Sequence, residues 1–163
     1  ASRMVLMPIP ALAWAPLFIL WFGLGDHTAI ILVAFTSTLP ILLNTWTGVK
    51  TVPELWVRAA MTMGCEGGQL FLRVILPAAL PYMLTGVRIG LATAWRAVVA
   101  GEMLGTTNFG LGRSIFMSRE FLRSDVMIGD LLIIGVLGLL MEYAFFNLLE
   151  RRTAERWGMA RSR

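Results

Sequence analysis

Residues that could carry out catalytic or metal chemistry are few in this chain. It holds one histidine and one cysteine among 163 residues, and no HExxH or GxSxG arrangement of the kind that metalloproteases and serine hydrolases use. His27 follows Asp26 in a short turn with no second His or Cys nearby, which favours a solvated turn residue over a metal ligand. Cys65 has no second cysteine for a disulfide or a thiolate cluster. We therefore predict no catalytic residue, no metal site and no cofactor, and a chain that is not itself an enzyme.

A second group of candidates consists of charged residues inside long apolar runs. A charge at the centre of a membrane helix costs roughly 2.5 to 3.5 kcal/mol on insertion scales, so such residues normally face the protein interior or an aqueous path. An interhelical salt bridge, or an arginine that reaches the membrane interface, is the structural alternative for each one. The residues are Arg88, Arg96, Glu102, Asp130 and Glu142.

Depth along the predicted helices pairs these charges. At about 1.5 Å per residue, Arg88 lies roughly 24 Å from the C-terminal end of its predicted span. Glu142 lies roughly 22 Å from the N-terminal end of the next span, which runs antiparallel. The two charges therefore lie at similar levels. We therefore predict an ion pair between Arg88 and Glu142. A pair between Arg96 and Asp130 is the weaker second candidate.

The elements that must position these residues are membrane helices. Hydrophobic residues make up 57% of the chain and charged residues 15%, against about 25% charged in ordinary soluble domains. Residues 4–25 and 28–49 carry no charge, and each is long enough to cross a hydrocarbon core of about 30 Å. The first run holds three prolines, so a broken or bent helix is expected there. We predict an all-α membrane protein, a polytopic helical bundle with four transmembrane helices, near 8–24, 28–48, 82–104 and 126–148.

Between the second and third spans lies a polar stretch, residues 49–81, which we assign to a loop. Pro53 suits the first residue of a short helix, where its missing N–H costs nothing, and the helix is predicted to end at Met63. Apolar residues at helical spacing give it one apolar face, and Gly64 is predicted to end it in the left-handed conformation. A second amphipathic piece, 69–76, follows. From pattern alone, the apolar face suits a lipid surface and a docking partner equally well.

The loop sequence RAAMTMGCEGGQLFLRVILP resembles the EAA signature in the cytoplasmic loop of the membrane subunits of bacterial ATP-driven importers. The segments PIPALAWAPLFILWFGLG and LPAALPYMLTGVRIGLATAWRAVVAGEMLG, with a final LLERR, are similar to the nitrate, sulfonate and taurine branch of that family. In such subunits the loop forms a coupling helix that lies in a cleft of the ATPase and transmits its closure. Arg58 stands where the family most often has glutamate. By resemblance the coupling positions are Arg58, Ala59, Ala60, Gly64, Val74, Leu76 and Pro77.

The resemblance also implies partners. Permeases of this kind work in pairs, here expected to be a homodimer, in the bacterial inner membrane. A cytoplasmic ATP-binding subunit and an extracytoplasmic substrate-binding protein complete the assembly, and this chain carries no GxxxxGK[ST] loop of its own. Family members usually have six spans, so a permease domain of residues 1–163 is expected to be N-terminally incomplete. No basic run with interleaved aromatics indicates a nucleic-acid partner.

The distribution of arginines predicts the orientation. The 49–81 loop and the basic tail, 150–163, lie on one side of the membrane and hold most of the positive charge, whereas 105–125 lies on the other. The positive-inside rule places the loop and tail in the cytoplasm and 105–125 outside. Within the outer loop a short amphipathic helix is indicated by Leu111, Ile115, Phe116 and Leu122.

Two other functions compete with an importer subunit. A secondary transporter would be expected to show an internal repeat across its halves, and none is visible in the sequence. A non-catalytic membrane scaffold subunit is the second alternative. The sequence names no transported substrate, and a small anion such as nitrate, a sulfonate or taurine is the expectation from the family.

Overall fold

The computed structural model describes residues 10–105 and 107–154, and every regular element in that part of the chain is helical. The prediction of an all-α fold is therefore confirmed. A π-helical segment, Phe71–Ile75, lies between the fourth and fifth α-helices. The α-helices are α1 (Ala11–Phe22), α2 (Asp26–Thr51), α3 (Glu54–Thr62), α4 (Gly67–Leu70), α5 (Leu76–Met103), α6 (Leu111–Glu120) and α7 (Ser124–Ala154).

Three helical stretches are long and apolar enough to cross a membrane. They are α2, the continuous stretch Gly67–Met103 that includes α5, and α7 over Ser124–Phe145. The first predicted span corresponds to α1, which has 12 residues with Pro16 inside it. At about 1.5 Å per residue α1 is about 18 Å long, shorter than a hydrocarbon core of about 30 Å. The part of that prediction before Pro10, and the tail beyond Ala154, lie outside the described residues.

The third span begins earlier than we predicted. Pro81 was expected to open it, but Pro77 and Pro81 both lie within the helix that starts at Gly67. A proline inside an α-helix lacks the N–H donor, and its ring clashes with the carbonyl four residues back. Directly before Pro77 the helix adopts the wider π form, in which the Leu76 N–H donates to the carbonyl of Phe71, five residues back. The predicted amphipathic piece 69–76 is thus part of this helix, and only 52–66 connects α2 to it.

The described chain divides into two compact units. One contains the residues up to Ser37 and those from Leu91 onward, and the other is Thr38–Gly90. In the first unit α1 and α2 form the predicted hairpin, and the rings of Trp14 and Phe35 meet edge to face with centroids 5.3 Å apart. The buried core of this hairpin is Ala15, Phe18 and Leu32.

Within the second unit α2 and α5 approach each other closely. A Cβ atom at Gly48 would lie 2.6 Å from the Cβ of Tyr82, and one at Gly86 would lie 2.8 Å from the Cβ of Asn44. Only glycine fits at such distances, so the two backbones pack against each other in the way that small residues permit in membrane helices. These contacts hold α2 and α5 together over residues 44–48 and 82–86.

The amphipathic helix predicted in the 105–125 loop is present as α6, which packs against α7. Ile115 is buried there, as the pattern indicated. Leu122 is an exception, because it follows the end of the helix and is 88% exposed. Its helical spacing from Ile115 had suggested a place on the buried face.

Candidate functional site

The short helix α3 begins at Glu54, one residue after the predicted first residue, Pro53. Pro53 precedes its first residue with an extended backbone (φ −60°, ψ 130°), and its carbonyl accepts the N–H of Trp56 at 3.1 Å. The helix ends at Thr62, one residue before the predicted end at Met63. Proline suits this position because it fixes φ and has no N–H left without a partner.

The end of α3 is a Schellman motif built on Gly64. Gly64 has a φ of +82°, so the predicted left-handed conformation is confirmed. Its N–H donates to the carbonyl of Met61 at 3.0 Å, and the N–H of Cys65 donates to the carbonyl of Ala60 at 3.0 Å. These two bonds satisfy helix carbonyls that would otherwise lack partners, and they reverse the chain direction at once.

The chain then folds back against α3. Gly67, with a φ of +54°, opens α4, and both α4 and the π segment contact α3. The buried residues of this small assembly are Ala60, 3% exposed, and Leu70, 7% exposed. The second alanine of the motif is therefore a packing position where a larger side chain has no room, whereas Ala59 is exposed.

Large apolar side chains on α3 and just past its end are left uncovered by the described chain. Leu55 is 74% exposed and Met63, just past the helix end, is 77% exposed. Exposed apolar side chains of this size, grouped on one short helix, are candidates for contact with a protein or a membrane. The surface consists of Leu55, Trp56, Met61 and Met63, and we call it the α3 face.

Arg58 lies in an ion pair within α3. Its Nη2 donates to Glu54 Oε2 at 2.7 Å, with both side chains largely exposed. Such a surface pair, four residues apart on a helix, contributes little stability, about 0.3 to 0.5 kcal/mol. Its effect is on charge: the positive charge of Arg58 is offset by a carboxylate one turn earlier. The remaining motif positions, Val74, Leu76 and Pro77, are half-buried at the start of the membrane helix.

Glu102, one of the predicted intramembrane charges, caps a helix. Its Oε2 accepts the N–H of Gly112 at 2.8 Å, and Gly112 is the second residue of α6. A carboxylate at this position satisfies an unpaired N–H and lies at the positive end of the helix dipole. This contact differs from the interhelical salt bridge that sequence reasoning offered as the structural alternative for Glu102.

Sequence reasoning missed the two glycines that admit this contact. A Cβ at Gly110, whose φ is +142°, would lie 2.3 Å from the carboxyl carbon of Glu102, and one at Gly112 would lie 2.3 Å from the carbonyl oxygen of Val99. The spacing Glu102…Gly110-x-Gly112 is the sequence signal that could have indicated the contact between Glu102 and α6. Arg113 adds a bond from Nη1 to the carbonyl of Thr107 at 3.4 Å.

The weaker predicted pair, Arg96 with Asp130, is not formed. Arg96 is exposed, and its Nε donates to the carbonyl of Ala92 on the same helix at 3.0 Å. Asp130 is only 9% exposed, and its Oδ2 has no hydrogen-bond partner among the described residues. The depth argument placed the two charges at one level but said nothing of the direction in which either side chain points.

The pair of Arg88 and Glu142 stays a prediction. Arg88 belongs to the Thr38–Gly90 unit and Glu142 to the other, and neither residue lacks an interaction partner.

His27 has an identifiable structural contact. It lies in the first turn of α2, exposed, with Nε2 2.9 Å from the carbonyl oxygen of Phe22. Its ring helps to close the turn that joins α1 to α2.

Comparison with known proteins identifies the family. The family described as binding-protein-dependent transport system inner membrane component matches residues 4–155. The taurine transport system permease protein TauC of Escherichia coli is 38% identical over 146 residues, which cover 90% of this chain and 53% of TauC. The nitrate import permease protein NrtB of Synechocystis is 34% identical over 139 residues, covering 85% of this chain and 50% of NrtB.

A protein of Methanocaldococcus jannaschii named as an ABC transporter permease is 44% identical over 138 residues, 85% of this chain and 52% of that protein. This chain is thus a member of the family of binding-protein-dependent transport inner membrane components. The resemblance found in the sequence is confirmed, and so is the nitrate, sulfonate and taurine branch that it indicated. The chain spans about half the length of the curated relatives it matches.

Proposed function

We propose that this chain is the membrane-spanning subunit of an ATP-driven importer, that it forms half of the substrate path, and that α3 docks on a cytoplasmic ATP-binding subunit. Family membership supports the transport role. The observation that carries the docking role is the α3 face: an apolar surface, exposed in the described chain, on a helix whose two ends are fixed. A surface that must receive force needs both accessibility and rigid attachment.

The attachment follows from the loop geometry. The Schellman motif at Gly64 fixes the exit of α3, and the packing of Ala60 and Leu70 ties α3 to the start of the third span. From Gly67 that span continues without interruption for 37 residues to Met103, about 55 Å at about 1.5 Å per residue. A displacement of α3 by a closing ATPase would therefore move one end of a helix that crosses the membrane.

The orientation and the partners belong to the same proposal. Arginine asymmetry supports a cytoplasmic location for α3 and an inner-membrane location for the chain. The names of the relatives, which refer to taurine and nitrate, support a small anion as the substrate. A second copy of the permease would complete the path, and an extracytoplasmic binding protein would deliver the substrate.

The test is to co-express the chain with the products of its neighbouring genes and to determine which ATPase and which binding protein co-purify. Leu55→Asp on the α3 face should abolish ATPase co-purification, whereas Leu132→Asn, on an exposed position of α7, should preserve it. If α3 lies on lipid instead, Leu55→Asp would leave the ATPase bound, and the docking role would be wrong. Uptake that is not inhibited by vanadate would favour a secondary transporter.

The purified chain alone is expected to conduct no substrate. Without further helices and a second subunit, polar groups along the path would face lipid, which is costly. Substrate flux through the chain in liposomes that lack any ATPase would contradict the proposal.

A further inference from the structure

The two ends of α6 carry apolar side chains that project away from the described chain. Phe109 precedes the helix and is 89% exposed, while Phe121 and Leu122 follow it and are 73% and 88% exposed. The middle of the helix is different, because Ile115 and Ser118 are buried. Inside the helix only Met117 is an exposed large apolar residue, at 38%. The most exposed apolar groups are thus on the two flanks of a helix whose centre is largely packed.

Leu122 holds this position in a conformation that leucine avoids. Its φ is +55°, and it is the one residue other than glycine with a positive φ among the described residues. The N–H of Leu122 donates to the carbonyl of Arg119 at 3.2 Å and that of Arg123 to the carbonyl of Ser118 at 2.9 Å. This is the same Schellman motif that ends α3, with leucine where α3 has Gly64.

A leucine at this position needs a compensating contact. Glycine adopts a positive φ without steric cost, whereas a side chain with a Cβ is strained there. An 88% exposed leucine would recover nothing from its side chain in water. Strained residues persist where the surroundings or a function require them, so the side chain of Leu122 is expected to lie in an apolar environment.

The position of α6 along the chain identifies that environment. The third span ends at Met103, and the last span begins at Ser124. Leu122 therefore lies within about 7 Å of the start of α7, since each residue extends at most about 3.6 Å. At the other end, Glu102 fixes the first turn of α6 to the last turn of α5. Both ends of α6 are thus held at the level where spans enter the bilayer.

We propose that α6 is a membrane-interface anchor, with Phe109, Phe121 and Leu122 inserted at the boundary between headgroups and acyl chains. The charges beside it fit this depth: Arg123 lies 4.0 Å from Asp125, and such groups can remain among the headgroups while the apolar side chains insert. Lipid is favoured over a protein partner because the apolar groups are split between the two flanks and the intervening face is packed on α7.

Spin-label accessibility in liposomes tests the anchor. In a Cys65→Ser background of the full chain, single cysteines replace Phe109, Phe121 and Leu122, and the chain is reconstituted in phosphatidylcholine. Nitroxide labels at these positions should collide at least about threefold more with oxygen, which concentrates in lipid, than with an aqueous nickel chelate. The matched control is Glu120→Cys, adjacent in the chain and exposed, where the preference should reverse.

A reference label at Leu132, 66% exposed within the span, shows in the same preparation that the chain is inserted. Labels on the flanks of α6 that reach the nickel chelate as readily as Glu120→Cys would overturn the proposal. Labels shielded from both reagents would also overturn it, because they would indicate a covering protein. As a second arm, Leu122→Asn keeps a residue that tolerates a positive φ but removes the apolar group. It should make the label at Phe121 more accessible to the nickel chelate.

Discussion

The turn after α3 offers a comparison between two glycines that differ in one property. A Cβ atom added at Gly64 or at Gly68 would meet nothing within 4 Å, so neither substitution causes a clash. Gly64 has a φ of +82°, whereas Gly68 lies inside α4 with no such conformation. Any difference in stability between the Gly64→Ala and Gly68→Ala variants therefore reports on backbone conformation alone.

The expected magnitudes follow from that difference. Alanine in the left-handed region costs about 1 to 2 kcal/mol, whereas alanine in place of a helical glycine gains about 1 kcal/mol. Gly64→Ala should therefore destabilise the closed turn and Gly68→Ala should not. One to two kcal/mol corresponds to a factor of about 5 to 30 in the local opening equilibrium, and valine should cost more because it is β-branched.

Hydrogen exchange at the Cys65 amide measures this opening, because that N–H is bonded to the carbonyl of Ala60 only while the turn is closed. Gly64→Ala should accelerate its exchange by about 5- to 30-fold, with Gly68→Ala unchanged or slower. In the assembled transporter, Gly64→Val should let ATP hydrolysis continue without matching uptake. The role of the positive φ at Gly64 is refuted if the Cys65 amide exchanges at the wild-type rate in Gly64→Ala, or if Gly68→Ala accelerates this exchange equally. It is also refuted if Gly64→Val transports normally.

Three further experiments test the helix contacts. Gly86→Val should lower the folded yield in detergent, at a cost of about 1 to 3 kcal/mol for overpacking. Gly129→Ala should not lower it, because a Cβ atom added there has nothing within 4 Å. Equal yields would contradict the close packing of α2 and α5. Glu102→Ala should destabilise the start of α6 by about 1 kcal/mol, because it removes the helix cap. Hydrogen exchange at the first amides of α6 should become faster. Unchanged exchange would mean that the cap is not stabilising. Finally, a double-mutant cycle on Arg88→Gln and Glu142→Gln should give a smaller loss of folded yield for the double variant than the sum of the single losses, because each single variant would leave an unpaired charge within a membrane span. Purely additive losses would exclude the pair.

Local sequence signals were sufficient to predict where α3 starts and ends, to within one residue. Pro53 and Gly64 act through their own backbones, so the start and end of α3 could be predicted from residue types alone. The all-α class followed from uncharged runs of membrane length. What failed was the start of the third span, which was predicted near residue 82, after both Pro77 and Pro81, whereas the helix starts at Gly67. Membrane helices tolerate prolines when a local π turn adjusts the hydrogen bonds, and such a turn has no simple sequence signal.

Contacts across the chain were harder to predict. The hydrogen bond that the Gly112 N–H donates to Glu102 joins two different helices at positions ten residues apart, and helical periodicity contains no information on such a contact. Depth along a helix gave the levels of Arg96 and Asp130 but not their rotation about the helix axes, and the two side chains do not meet. For Leu122, periodicity continued past the point where the helix ends.

The π segment has a consequence for insertions and deletions. Each residue of an α-helix rotates the chain by about 100°, and a π turn in effect holds one residue more than the α-helix needs. Phe71–Ile75 therefore sets the rotational phase between α3 and the membrane part of α5. Deletion of one residue there would restore a regular α-helix and turn every downstream side chain by about 100° relative to the α3 face. Between Gly64 and Pro77 we expect exposed positions other than glycine to tolerate many substitutions, but the stretch to tolerate no change of length. An insertion and deletion scan read as coupled uptake would show whether it does.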